Sequence, residues 1–146
     1  MTARKKVPKP PKRRPAPVAR SSAAEARGYR RTIAVDFDGV IAEYDGWKGR
    51  GVLGLPRQDV CEALQELYAE GWKIVIHSTR GEKEIGSYLR EHGIPHHEIN
   101  RNSDYRTLGV KPVADVYWDD RALSYSGDAR RDIHLIRRFR TWSGRE

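Results

Sequence analysis

Two five- to six-residue runs rich in β-branched residues, 32–37 (TIAVDF) and 73–77 (KIVIH), constrain the fold of this 146-residue chain more than any other feature. A strand buried on both faces reads as a continuous apolar run, whereas a half-exposed strand alternates. The chain between the two runs contains a helical pattern. Residues 57–70 follow Pro56 and place Val60, Leu64, Leu67 and Tyr68 at i, i+4, i+7 and i+8, one apolar face, before Gly71. The alternation then repeats. Residues 82–92 carry Ile85, Tyr88 and Leu89 on one side and stop at Gly93, residues 94–99 read as a short strand, 113–118 (VADVYW) as another, and 128–142 as a last helix with Ile133, Ile136 and Phe139 inward. Strands alternating with helices predict an α/β fold: a Rossmann-like parallel sheet with helices on both faces. Ligands of such sheets lie beyond the carboxyl ends of the strands.

Charge divides the chain differently. The formal net charge is +8, and residues 1–28, with nine basic groups and one acidic group, hold all of it; residues 29–146 carry nineteen of each sign. Five of the eight prolines also lie in that stretch, with almost nothing large and apolar to bury. Such a composition does not offset the entropy of ordering, so residues 1–28 are expected to be a disordered Pro/Lys/Arg-rich tail and 29–146 the folded domain. The tail suits a polyanion, whether nucleic acid, ribosome or anionic lipid, and serves equally as a solubilising extension. One cysteine, Cys61, excludes an internal disulfide, and the sequence has neither a span-length apolar run nor a signal-peptide apolar core. These features predict a cytoplasmic location.

The polar residues at the ends of the predicted strands are chemically specific as a set. Asp36-Phe37-Asp38-Gly39 closes the first strand with two carboxylates on one face. His77-Ser78-Thr79-Arg80 closes the second, where the hydroxyls would also serve as helix caps. Lys111-Pro112 leads into the 113–118 strand, which runs out into Asp119-Asp120.

Asp-x-Asp, Ser/Thr, Lys and Asp-Asp in this order resemble the four motifs of the haloacid-dehalogenase-like phosphohydrolase superfamily, over about residues 31–142. The run Lys111 to Ala122 (KPVADVYWDDRA) is especially similar to small hydrolases of bacteria and phages. The resemblance implies a Mg²⁺-dependent phosphomonoester hydrolase. In it, Asp36 is the nucleophile, Asp38 the acid–base group, Ser78 a hydrogen-bond donor to the phosphoryl group and Lys111 a fixed positive charge, with Thr79 the alternative to Ser78. Metal ligation falls to Asp36, Asp119 and the backbone carbonyl of Asp38, while Asp120 acts through water or positions Lys111, and it stays open which of Asp119 and Asp120 binds directly. The chemistry agrees, because phosphoryl transfer needs an in-line nucleophile, compensating charge and an acid for the leaving group. Hard oxygen ligands suit Mg²⁺. Val40 stands where many members have threonine, which removes a hydroxyl and no catalytic group.

Spacing bears on substrate. Residues 40–55 have room for a flap but not for a cap domain, so the site should be open, admitting a large substrate or covered by a neighbouring subunit. Trp47 and Arg50 on the flap, with Thr79, Arg80 and Asn102, are candidate contacts to a nucleotide or a nucleic-acid terminal phosphate. Two other classes compete. A nucleic-acid-binding accessory protein would use the basic tail on this fold as a scaffold, but such a protein has no need of the complete acid, hydroxyl and lysine set. A receiver domain would carry its phosphorylated Asp after the third strand, whereas the Asp pair here closes the first.

Removal of residues 1–28 should leave turnover of a small phosphate ester nearly unchanged. It should flatten the salt dependence of polynucleotide binding by about 0.7 to 0.9 in log–log slope for each phosphate that the tail neutralises. Equal salt slopes for the two proteins would make the tail a solubilising extension.

Overall fold

A computed structural model describes residues 20–143. The chain runs α1 (Ser22–Arg27), β1 (Thr32–Asp36), α2 (Gln58–Ala69), β2 (Lys73–His77), α3 (Glu82–Glu91), β3 (Glu98–Ile99), β4 (Val116–Trp118) and α4 (Ala129–Arg137). The four strands form one parallel sheet in the order β3-β2-β1-β4. The α/β fold with a Rossmann-like parallel sheet flanked by helices is therefore as the alternation predicted.

The two central strands have the expected bounds to within a residue because both are enclosed. Ile33 and Val35 of β1 and Ile74 and Ile76 of β2 point to one face, where they join Val60 and Leu64 of α2 and Ile85 and Leu89 of α3 in a single core. Phe37 meets Tyr88 edge-to-face, 5.0 Å between centroids, a favoured aromatic geometry. Gly71 (φ 87°) lets the chain leave α2 with Gly71 N–H donating to Tyr68 O and Trp72 N–H to Leu67 O, and β2 begins two residues later.

The opposite face carries Thr32, Ala34, Lys73 and Val75, all buried. Lys73 is the informative one, since it opens a strand that reads as apolar. Its ammonium lies 2.6 Å from Glu98 and 3.0 Å from Asp104 and donates to the Asn102 side-chain oxygen at 2.8 Å. Burial raises the carboxyl pKa values of Glu98 and Asp104, but the hydrogen bond and charge of Lys73, together with the Ser103 hydrogen bonds to Glu98 and the charges of Arg27 and Arg30 beside Asp104, outweigh it and hold both below the usual carboxylate range. Asp104 in turn takes Arg27 at 2.6 Å and accepts from Ser21 N–H through its backbone oxygen.

Residues 20–28, expected in the disordered tail, thus belong to the fold. Ser21 caps α1 by accepting from Ala24 N–H, Ala24 is fully buried, and Arg27 reaches the Lys73 cluster. The physical reason is that a short basic segment found a buried carboxylate far away in sequence. Residues 1–19 lie outside the described residues, and a deletion that tests their charge has to stop there to leave α1 in place.

The periphery departs further from expectation. The predicted strands 94–99 and 113–118 shrink to Glu98–Ile99 and Val116–Trp118. Both are edge strands with one pairing partner each, and Ile94 is buried without joining the sheet. The last helix ends at Arg137. Its Ile133 and Ile136, expected inward, are exposed, because no described element packs against that face; its buried residue is Asp132, which accepts from Ser126 N–H. No helix among the described residues is long and apolar enough to cross a membrane.

Residues 43–55 form a flap closed at its base by Glu43 N–H to Leu55 O and Arg57 N–H to Ile41 O, both 2.8 Å. No cap domain is inserted there. A Cβ on Gly54 would stand 1.8 Å from Glu43 O, so only glycine lets the two sides of the flap approach this closely.

Lys73→Met should lower the unfolding free energy by about 3–5 kcal/mol, the usual consequence of stranding buried carboxylates without their cation. Urea denaturation of the two proteins measures it, and an unchanged midpoint would mean that Glu98 and Asp104 do not depend on Lys73.

Candidate active site

The register of the sheet brings the strand-end residues together. Asp36 is the Cα partner of His77 across β1 and β2, while Val35 pairs with Trp118 on the other side, so Asp119, one residue on, comes level with Asp36. Residues in register on neighbouring strands point to the same face. Asp119, Asp36 and His77 therefore stand abreast at the carboxyl edge, and one ligand atom from each lies within 4.8 Å of the others.

Each of the three is held differently. Asp36 Oδ1 accepts from Phe37 N–H at 2.9 Å, which leaves the other oxygen to face its neighbours. Asp119 Oδ1 accepts from Arg121 N–H at 2.7 Å. His77 Nε2 is buried, lies 3.9 Å from Asp119 Oδ2 and has no hydrogen-bond partner among the described residues. Burial lowers the His77 pKa, Asp119 partly reverses that, and Lys111 lowers it again, so the ring is neutral at pH 7.

Burial, the charge of Asp119, and the hydrogen bond and charge of Asp120 raise the Asp36 pKa to about 8, against the opposing pull of the Phe37 N–H. The cause is plain: a carboxylate here would be desolvated beside two other carboxylates.

The turn beyond β1 is tightly built. Phe37 O accepts from Ile41 and Ala42 N–H, Gly39 takes φ 89°, and Gly39 O accepts from Trp142 Nε1 at 2.8 Å. Arg57 stacks on the Trp142 ring, 4.4 Å from its centroid, so the chain after α4 braces the turn. Within this turn Asp38 is gripped by Arg80, Nε to Oδ2 at 2.7 Å and Nη2 to Oδ1 at 3.0 Å. Such a bidentate fork fixes orientation as well as charge.

Asp36, Asp38, Ser78, Thr79, Lys111, Asp119 and Asp120 all line one open cleft of about 1360 Å³. Ser78 Oγ accepts from Arg80 N–H, and Ser78 N–H donates to the Asn100 side-chain oxygen at 2.8 Å. Lys111 rests its ammonium over the Tyr117 ring, 4.4 Å from the centroid, a cation–π contact.

The expected substrate contacts divide. Thr79 lies in the cleft. Arg80 is buried and turned to Asp38 and Glu84, with Trp47 4.7 Å over its guanidinium, so it orders the site from behind. Arg50 is exposed on the flap. Asn102 is not brought to the cleft: it is buried, bound to Lys73 and donating to Val113 O.

Asn100 also lines the cleft, and among the polar cleft residues without a role assigned from the sequence are His77 and Tyr44. The matching lengths of the two central runs, each ending on a polar residue, were the available signal for His77. Asn100 follows β3 in the left-handed region (φ 57°), a conformation that asparagine tolerates. For Tyr44 there was none.

No protein-family model matches the chain, and no curated protein matches it. Among solved structures, a conserved protein coded by a locus of Bacteroides thetaiotaomicron is similar, with 24% identity over 80% of this chain and 97% of that chain and a TM-score of 0.55. At that identity the likeness is one of fold.

A group that holds its proton more tightly when folded stabilises less as the unfolded state loses that proton. In divalent-free buffer, stability should therefore fall as pH rises from 3.8, the ordinary value for Asp36, through about 8. Thermal melts across that range should show the decline in wild type and a flatter profile in Asp36→Asn; parallel profiles would mean that Asp36 does not carry the shifted proton.

Proposed function

We propose that the chain is a phosphomonoester hydrolase of haloacid-dehalogenase type, acting through an aspartyl-phosphate on Asp36. The observation that carries this reading is the meeting of Asp36, Asp38, Ser78, Lys111, Asp119 and Asp120, from four separate segments, in one cleft at the carboxyl edge of the sheet.

The donor set fits a divalent cation, since Asp36 and Asp119 crowd together and the burial and neighbouring carboxylates of Asp36 hold its proton up to about pH 8. Such a cation, Mg²⁺ in the superfamily that the sequence resembles, supplies the charge that lets Asp36 ionise and offsets the phosphoryl oxygens when bound.

In the first step the Asp36 oxygen not held by Phe37 N–H attacks phosphorus, the bond to the leaving oxygen breaks, and that oxygen takes a proton from Asp38. In the second, water attacks the phosphoryl group, its proton passes to Asp38, and Asp36 is released with inorganic phosphate. Both Asp38 oxygens are engaged by Arg80, so each transfer requires one of those hydrogen bonds to open while the other keeps the carboxyl aimed. Ser78, free to donate its hydroxyl proton, and Lys111, swinging from Tyr117, would meet the phosphoryl oxygens.

An open cleft with no cap domain inserted among the described residues supports a substrate as large as a nucleotide or the terminal phosphate of a nucleic acid. A nucleic-acid-binding role through the basic tail rests on residues 1–19, outside the described residues.

The test is turnover, with a divalent cation, of p-nitrophenyl phosphate, nucleoside monophosphates and 3′- and 5′-phosphorylated oligonucleotides. Asp36→Asn should reduce kcat by at least about 10³-fold and Asp38→Asn by about 10²–10⁴-fold. Full turnover by Asp36→Asn would overturn the covalent route, and no turnover of any of these esters by wild type would overturn the reading itself.

A further inference from the structure

The donor set at the carboxyl edge contains more than hard oxygen atoms. His77 has the position on β2 that Asp36 has on β1, so its ring enters the same cluster by register and not by a chance rotamer. Its Nε2 is shielded from solvent, lies 3.9 Å from Asp119 Oδ2, too far for a hydrogen bond, and has no hydrogen-bond partner among the described residues. A buried ring nitrogen without a partner is costly. The three ligand atoms, one nitrogen and two carboxylate oxygens, lie within 4.8 Å of one another, a span that a single ion bound at about 2.0–2.2 Å to each would draw together.

The structure assigns His77 as the third protein ligand of the cation between Asp36 and Asp119, and with it a preference for a first-row transition metal over Mg²⁺. The inference rests on the proposed reading for the presence of that cation. Its chemistry is that of the donors: imidazole suits Zn²⁺, Fe²⁺ or Co²⁺, whereas Mg²⁺ takes oxygen ligands and keeps its waters. Three protein ligands from three neighbouring strands also leave positions open for a phosphoryl oxygen, as catalytic metal sites require.

Two arrangements compete for the same nitrogen. His77 could instead be a hydrogen-bond donor to a phosphoryl oxygen, with an all-oxygen Mg²⁺ site beside it, and that arrangement leaves the imidazole uncoordinated.

Co²⁺, added to the metal-free full-length protein, distinguishes them. Coordination through His77 should produce a hyperfine-shifted, solvent-exchangeable imidazole N–H resonance in the proton NMR spectrum, and His77→Gln should remove it. By calorimetry, Co²⁺ should bind more tightly than Mg²⁺ to wild type. Removing an outer-sphere partner alone weakens metals by about 10–100-fold, so removing this ligand should weaken Co²⁺ by at least about tenfold and leave Mg²⁺ little changed.

The NMR measurement on wild type stands even if the variant fails to fold. Binding of Co²⁺ without a shifted imidazole resonance, an affinity for Mg²⁺ equal to that for Co²⁺, or no Co²⁺ binding at millimolar concentration would each overturn the assignment. These outcomes are separable from the activity test: Mg²⁺-supported phosphatase turnover with no imidazole resonance overturns the His77 ligand alone, whereas a His77-bound Co²⁺ in a protein that hydrolyses no phosphate ester overturns the phosphatase reading alone.

Discussion

Asp36 ends a strand flanked on its carboxyl side by polar residues from both neighbours, and the arrangement of the cleft answers to the electrostatics of that position. A carboxyl placed between His77 on β2 and Asp119 beyond β4, with Asp120 in hydrogen-bonding reach, loses water and gains like charge at the same time. Without a cation it keeps its proton to about pH 8. The sheet can hold such an unfavourable group because its own stability lies elsewhere, in the apolar face that β1 and β2 share with α2 and α3.

Two buried cations set the limits of this acidic region. Arg80 pairs with Asp38 behind the cleft and removes one carboxylate from the cluster, and Lys73 gathers Glu98 and Asp104 at the other end of the same face. The choice of residue follows from geometry. The planar guanidinium meets both oxygens of a single carboxylate, whereas the compact ammonium of Lys73 is shared among three partners. The second cluster also recruits the amino-terminal segment, since Arg27 and Ser21 both close on Asp104.

Legibility in the sequence tracked enclosure. The runs 32–37 and 73–77 could be read because a strand covered on both faces has to be apolar throughout, and the acids and hydroxyls after them stood out against that background. The edge strands were overestimated because β-branched residues such as Ile94 and Val113 say that a segment is extended or buried, not that a partner strand runs alongside it. For the last helix the period of Ile133 and Ile136 marked an apolar face, and the fold supplied nothing to cover it. Asn102 and Arg80, polar residues near strand ends, looked alike in sequence to those that line the cleft.

The sequence by itself determined the layer order, the central strands and the candidate set Asp36, Asp38, Ser78, Lys111, Asp119 and Asp120, because each depends on local pattern and on position at the end of an apolar run. Only the tertiary structure decided which of these residues touch, that Arg80 faces Asp38 instead of the cleft, that residues 20–28 join the fold, and that His77 stands level with Asp36. Those are matters of register and of contacts between residues far apart in the chain, 42 positions for Arg80 and Asp38 and 77 for Arg27 and Asp104, and they are set by how the strands align, which no stretch of local sequence encodes.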